Sequence, residues 1–406
     1  MTEKRAAGRR EPSRRSQRGL DWLNFFVADL QTGFGGFTSV YLAAQGWSLS
    51  EIGLALTASR LAGVIAPLPG GALVDAVPAK RLLVGAAVVL IGAGALVISL
   101  WPQFWPVVMA QVLSGGSAGI IQPALAAMGL GLVGHGALSR RLGRNQGFNA
   151  FGTAATAALM GVLGHFFSMS VPFLVDAALC LPAIVALGSI ASRDINYAEA
   201  RAAADRDNPR QAHRLRDALR NRHLHLFILC LALFQFANAS LLPLATSRLG
   251  YQREHFSELV TAAAMVCPQA LAAIIAMRVA RHMEDRGRKP LLLAALGAVA
   301  LRAVLFAFVE IPWLLVPIQL LDGLAAAIVG IVMPLVIADL ARGTGRYNFF
   351  QGLASSAMGI GAAISTVASG YATERFGFTA GFLAFAAFAL VTAGLAYRFL
   401  PETKGE

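Results

Sequence analysis

The chain has 406 residues, of which 56% are hydrophobic and only 14% charged, and its net charge is +12. Soluble domains carry about 25% charged residues, so an ordinary water-soluble domain is excluded and a bilayer environment is indicated. A helix needs roughly twenty apolar residues to cross a hydrocarbon core of about 30 Å. Twelve such stretches can be marked, at 21–44, 51–74, 82–101, 104–128, 147–168, 171–190, 224–247, 257–279, 290–309, 313–338, 347–370 and 378–399. A transmembrane barrel would instead show alternating segments of about ten residues. The expected fold class is therefore an all-α membrane protein with twelve transmembrane helices.

A basic tail, 1–19, precedes the first span. The first span carries Asp29, nine residues beyond Leu20, or about 13–14 Å along a helix rising 1.5 Å per residue. That depth puts a carboxyl near the bilayer centre, where a lone charge costs several kcal/mol. Arg60 lies at a similar depth in the second span, so an Asp29–Arg60 pair is expected. Span two ends in Asp75 and a loop with Lys80 and Arg81. Span four carries Gln111, Ser114 and Gln122 and leads to a basic turn ending at Arg144. Span five is rich in Gly and Ala, which permits close helix packing. A charged segment, 191–222, then separates two apolar blocks.

The second block repeats the plan. Span seven bears Gln235 and Asn238 on one face, span eight runs into Glu284 and Arg288, span nine holds Arg302, and span ten holds Gln319 and Asp322. Spans nine and ten are joined by a short turn, so Arg302 is placed to tune Asp322. All Lys and Arg except Arg60, Arg248, Arg253, Arg302 and Arg375 fall in the tails and on one side of the loops. The positive-inside rule assigns that side, with both termini, to the cytoplasm. The same rule accounts for the net charge without nucleic acid. Cys180, Cys230 and Cys267 lie within spans, and no metal-ligand cluster or catalytic constellation is visible. No cofactor or metal is expected, and a membrane enzyme is disfavoured.

A shift of 208 or 209 positions superposes intramembrane polar residues. Gln111-Val-Leu-Ser114-Gly115 falls on Gln319-Leu-Leu-Asp322-Gly323, Asp29 falls on Asn238, and Arg60 falls on Gln269. Duplication of a six-helix unit is the kind of internal repeat from which many transporters are built. The segment Gly71-Ala-Leu-Val-Asp75-Ala-Val-Pro-Ala-Lys80-Arg81 resembles the loop signature of the major facilitator superfamily, G-x-x-x-D-R-x-G-R-K. Ala76 stands where that signature has Arg. A second copy, Ala280-Arg-His-Met-Glu284-Asp-Arg-Gly287-Arg288-Lys289, occupies the equivalent place. The resemblance covers essentially the whole chain apart from the tail.

The resemblance implies two pseudo-symmetric six-helix bundles, at 20–190 and 223–400, joined by a cytoplasmic linker at 191–222 and followed by a short tail, 401–406. It implies spans 1, 4, 7 and 10 on a central cavity, 2, 5, 8 and 11 between the halves, and 3, 6, 9 and 12 facing lipid. It further implies a secondary active transporter working by alternating access, with a small-molecule substrate and the bilayer as its partners. The high Ala, Gly and Arg content suggests a bacterial inner membrane, and a monomer is expected. Carboxyls at membrane depth suggest Asp29 and Asp322 as proton-coupling groups, tuned by Arg60 and Arg302. Gln111, Gln235, Asn238 and Gln319 are the expected substrate contacts. Asp75, Lys80, Arg81, Arg144, Glu284 and Arg288 are the expected gating residues. A sparsely charged, largely apolar cavity suits an amphipathic organic solute moved by proton-coupled efflux. Proton-coupled uptake of a small metabolite or chelate is the alternative, and a non-transporting membrane sensor the remote one.

Overall fold

The computed structural model describes residues 13–30, 35–77, 79–166, 170–202, 221–252 and 257–402. Every regular element among them is helical. In sequence order these are α1 (Arg14–Leu30), α2 (Gly35–Ala44), α3 (Leu49–Ile65), α4 (Pro67–Ala76), α5 (Lys80–Leu100), α6 (Phe104–Val133), α7 (Leu138–Phe166) and α8 (Val171–Gly188). After the central segment come α9 (Arg222–Asn238), α10 (Leu241–Gln252), α11 (Ser257–Arg286), α12 (Lys289–Phe308), α13 (Leu315–Leu340) and α14 (Tyr347–Phe399).

Among the described residues eight helices are long and apolar enough to span a bilayer, or nine when α3 and α4, bent by 44°, count as one crossing. The twelve expected stretches are therefore not reproduced helix for helix, and the reasons are local. α14 runs for 53 residues and counts once, although Gly377, at φ 83°, breaks its helical path between two apolar runs. That left-handed backbone suits glycine, which lacks the Cβ that would clash. α1 and α2 flank four residues outside the description, and α7 opens with Arg140, Arg141 and Arg144.

Two clusters of buried apolar side chains organise the helices. One draws on residues 20 to 200, and the other mainly on 202 to 400, with a few side chains from α6 and α7 joining it. Large apolar residues point outward on α5 (Leu82, Val89), α8 (Leu181, Val185), α12 (Leu301, Phe308) and late α14 (Leu390, Val391). Such faces are stable against acyl chains, and exposed apolar side chains also occur on α3 (Leu54, Leu61), α6 (Trp105, Met109) and α11 (Met265, Ile274). The backbone bonds stay within each helix, as a bilayer requires.

The start of the central segment is packed rather than free. Asn196 donates its backbone N–H to Gly131, and Ile195, Ala200 and Ala202 are buried. Residues 203–220, most of the expected linker, lie outside the described residues.

Candidate functional site

A cavity of about 460 Å³ lies where α1, α6, α7, α9, α13 and α14 converge. Its polar wall is built from carboxamides. Asn24, Gln122, Asn145, Gln146 and Asn149 come from the first half, and Gln235, Asn238 and Gln351 from the second. Phe234, Val329, Met333 and Met358 supply apolar surface between them. Asp322 is the single charged residue among the described lining.

Asp322 has an elaborate setting. Arg302, 1% exposed, forms an ion pair with its Oδ1, and the Asp322 side chain keeps 21% exposure toward the cavity. Asn238 Nδ2 donates to the same oxygen at 3.1 Å, and Gln319 Nε2 reaches Oδ2 at 3.5 Å. Arg302 Nη2 also donates to the carbonyl of Asn238 at 3.0 Å. Asn238 is the last residue of α9, just before the break that separates it from α10. The final carbonyls of a helix lack partners and carry its negative dipole end. Arg302 thus holds both a carboxylate and a helix terminus, joining α9, α12 and α13 through one buried cation.

The end of the bundle where α1 begins and α14 ends is closed between the halves by two different contacts. Asp75, buried at the end of α4, accepts from the backbone N–H of Asn348 (3.3 Å) and Phe349 (2.8 Å) and from Asn348 Nδ2 (2.6 Å). It thereby caps the free N–H groups at the start of α14. Lys80 is buried beside it and donates to the carbonyl of Val74 at 2.5 Å. Across the pseudo-symmetry, Glu284 on α11 pairs with Arg140 on α7 at 3.0 Å. Gly71 lies against the backbone of Asn348 and Gly352 against that of Pro67, so close that a methyl at either would overlap a carbonyl.

The Major Facilitator Superfamily profile matches residues 22–351 and again 255–406. Two sequences from strains of Mycobacterium tuberculosis, each described as an uncharacterized MFS-type transporter, are 34% identical over 96% of this chain and 94% of their own length. The chain belongs to the major facilitator superfamily. Among solved structures, the proton:xylose symporter XylE, bound to 6-bromo-6-deoxy-D-glucose, superposes with a TM-score of 0.75 at 15% identity, covering 97% of this chain and 96% of that one. FucP in the outward conformation gives 0.71 at 14% identity, covering 94% and 97%. At such identities these two neighbours establish the superfamily fold alone.

Within this superfamily member, the expected site residues divide. Asp322, Arg302, Asn238 and Gln319 are brought together as one cluster, and Gln235 joins Asn238 on the cavity wall. Gln111 does not reach the cavity. It is fully buried within the first half, and neither of its amide atoms has a partner. Its neighbour along the helix, Gln122, faces the cavity instead. The side chain of Asp29 lies outside the described residues, and Arg60 occupies an exposed position on α3.

Three of the expected gating residues work within a half. Arg81 bonds Ser192 and the carbonyl of Leu187 at the end of α8. Arg144 pairs with Asp21 on α1, which Arg141 also grips. Arg288 pairs with Asp339, and its backbone N–H meets Glu402. These are staples between neighbouring helices of one bundle, whereas Asp75 and Glu284 do cross the interface. Asn145 and Gln146 were missed because an apolar window begins span five at residue 147. The helix starts a full two turns earlier, at Leu138, and carries those polar groups inward.

Proposed function

We propose that this superfamily carrier couples transport of a small amphipathic organic solute to proton movement through Asp322. The observation that carries the reading is the position of Asp322, which touches the cavity on one side and the buried Arg302 on the other. Protonation of that carboxyl would leave a guanidinium buried without its counter-charge, a costly state. Arg302 would then retain its bond to the Asn238 carbonyl, so the strain falls on the break between α9 and α10. A proton can shift a two-state equilibrium only through such a difference in interaction energy between the states.

Exchange of solute outward against protons inward follows from competition. A solute hydroxyl that donates to the Asp322 carboxylate meets a weaker acceptor once that carboxyl is protonated, so proton and solute oppose one another. In this reading the basic end, with both termini, faces the cytoplasm by the positive-inside rule, and the protein works as a monomer in the inner membrane. The two bundles, 20–190 and 223–400, rock about the cavity, with Asp75 and Glu284 closing its cytoplasmic side. The structural neighbours favour a second reading, proton-coupled uptake, since XylE is a proton:xylose symporter and FucP a fucose:proton symporter.

Reconstituted vesicles with a pH gradient test the proposal. Solute should move against its own gradient when driven by protons, and Asp322→Asn should lose that drive. Protons and solute moving in opposite directions support exchange, and movement in the same direction supports uptake. Undiminished proton-driven accumulation by Asp322→Asn would remove Asp322 from the coupling step.

A further inference from the structure

The chemistry of the cavity wall narrows the solute, on the understanding that this cavity is the transport site proposed above. None of the described lining residues is Lys, Arg or His, so no fixed cation awaits an anion. The lone carboxylate is already neutralised by Arg302, so it offers little net attraction to an organic cation. Eight of the lining side chains are carboxamides. Each presents a donor and an acceptor together without charge, which matches a hydroxyl group that also donates and accepts.

Two of these amides are left incomplete. Asn149 Nδ2 on α7 and Asn238 Oδ1 on α9 are buried atoms with no hydrogen-bond partner. One is a donor from the first half and the other an acceptor from the second, and both residues line the same cavity. A buried polar atom without a partner is costly, typically about 1–3 kcal/mol, so a small turn of either amide toward the void is favoured when water or a solute hydroxyl there can satisfy it. Gln235, a half-buried amide on the wall next to Asn238, adds a further donor and acceptor. Phe234 and Met333 present an apolar surface to the same space.

We propose that the solute is an uncharged, hydroxyl-rich organic molecule with one apolar face, of the chemical class of ring polyols and their glycosides, bridged between Asn149 and Asn238. Bridging the two halves gives the solute a part in closure, because both bonds form together only when the bundles approach. A volume of about 460 Å³ accommodates such a molecule within the usual size range of small-molecule sites.

The test uses the full-length protein in lipid nanodiscs, which avoids sugar-based detergents. Thermal unfolding is followed with a panel of neutral hexoses and methyl and phenyl glycosides. The charged set is gluconate, glucosamine, glucose 6-phosphate and tetraphenylphosphonium. At least one neutral glycoside should raise the unfolding midpoint in a saturable manner, and the charged compounds should not. Asn149→Leu and Asn238→Leu should each weaken apparent affinity by on the order of tenfold, the loss of one hydrogen bond. Gln235→Leu provides a third variant should either of the first two unfold without ligand. Binding of a charged compound in preference to every neutral one, or no shift by any neutral compound, overturns the assignment. The readout is equilibrium binding and does not depend on proton coupling. Neutral binding without proton-driven flux would therefore sink the coupling reading alone, and proton-driven flux of a charged solute would sink this one alone.

Discussion

The two halves of the chain occupy matching positions with different chemistry. At an offset of 208, Arg302 and Asp322 in the second half correspond to Gly94 and Ser114 in the first. The fold brings each pair together. A methyl at Gly94 would lie 2.7 Å from Ser114 Oγ, while Arg302 and Asp322 form an ion pair. The gate shows the same relation. Asp75 and Asn348 correspond, at offsets of 209 and 208, to Glu284 and Arg140. One contact is a buried helix cap and the other an exposed ion pair whose arginine is 69% exposed. Duplication preserved which helices meet, and the chemistry at the meeting points was free to diverge. At this meeting point only the second half carries charge among the described residues, and under the proposed coupling that gives a proton one set of helices to act on.

The strongest way to break this comparison is to remove the cation from the charged half. Arg302→Met should destabilise the protein by about 3–5 kcal/mol, the usual cost of stranding one buried partner. Arg302→Met combined with Asp322→Leu should recover most of the lost unfolding midpoint. Equal loss in the single and double variants would show that the pair is not the source of the effect.

The gate offers a smaller contrast. Asp75→Asn replaces a carboxylate that accepts three hydrogen bonds with an amide that turns one donor toward them. It should weaken closure at the terminal end by about 2–3 kcal/mol, read as faster labelling of a cysteine introduced at Ala79, an exposed position. Glu284→Gln removes an exposed pair and should change the same labelling rate by less than fivefold, since such pairs contribute about 0–1 kcal/mol. Equal effects would mean that the two latches are interchangeable and the asymmetry has no mechanical consequence.

The smallest expected effect concerns the tail. Ser13 and Ser16 hydroxyls donate to Asp194 at 2.6 and 2.7 Å, and these bonds hold its carboxyl below the ordinary value of 3.8. A lowered folded value means that docking of this corner is fully present above 3.8 and is lost as pH falls through the lower value. Ser16→Ala should loosen the start of α1 at neutral pH, seen as faster amide exchange there, with little change in overall unfolding. Unchanged exchange at neutral pH would show that the hydroxyl contacts do not hold the tail.

Much of the charged half was legible in the sequence. Arg302, Gln319 and Asp322 lie on spans joined by a short turn, and helical spacing puts Gln319 and Asp322 on one face. The repeat offset also located Asn238. What escaped was polar chemistry outside the apolar windows. Asn145 and Gln146 fall between the basic turn that ends at Arg144 and the apolar window that begins at 147, although α7 carries them into the cavity. Gln351 and Ser355 lie in the stretch 347–370, where neither was singled out, yet they line the same wall. Gln111 shows the opposite error, because depth in the membrane does not say which way a helix face turns. The buried Asp21–Arg141 pair joins residues 120 positions apart, a distance at which no local pattern signals contact.

The central claim is that Asp322 gains and loses a proton during the cycle. Infrared difference spectroscopy of the reconstituted protein across a pH titration reads that event through the stretching band of a protonated carboxyl. The account predicts a band that appears as pH falls, changes with solute, and is absent from Asp322→Asn. The same band persisting undiminished in Asp322→Asn would contradict it.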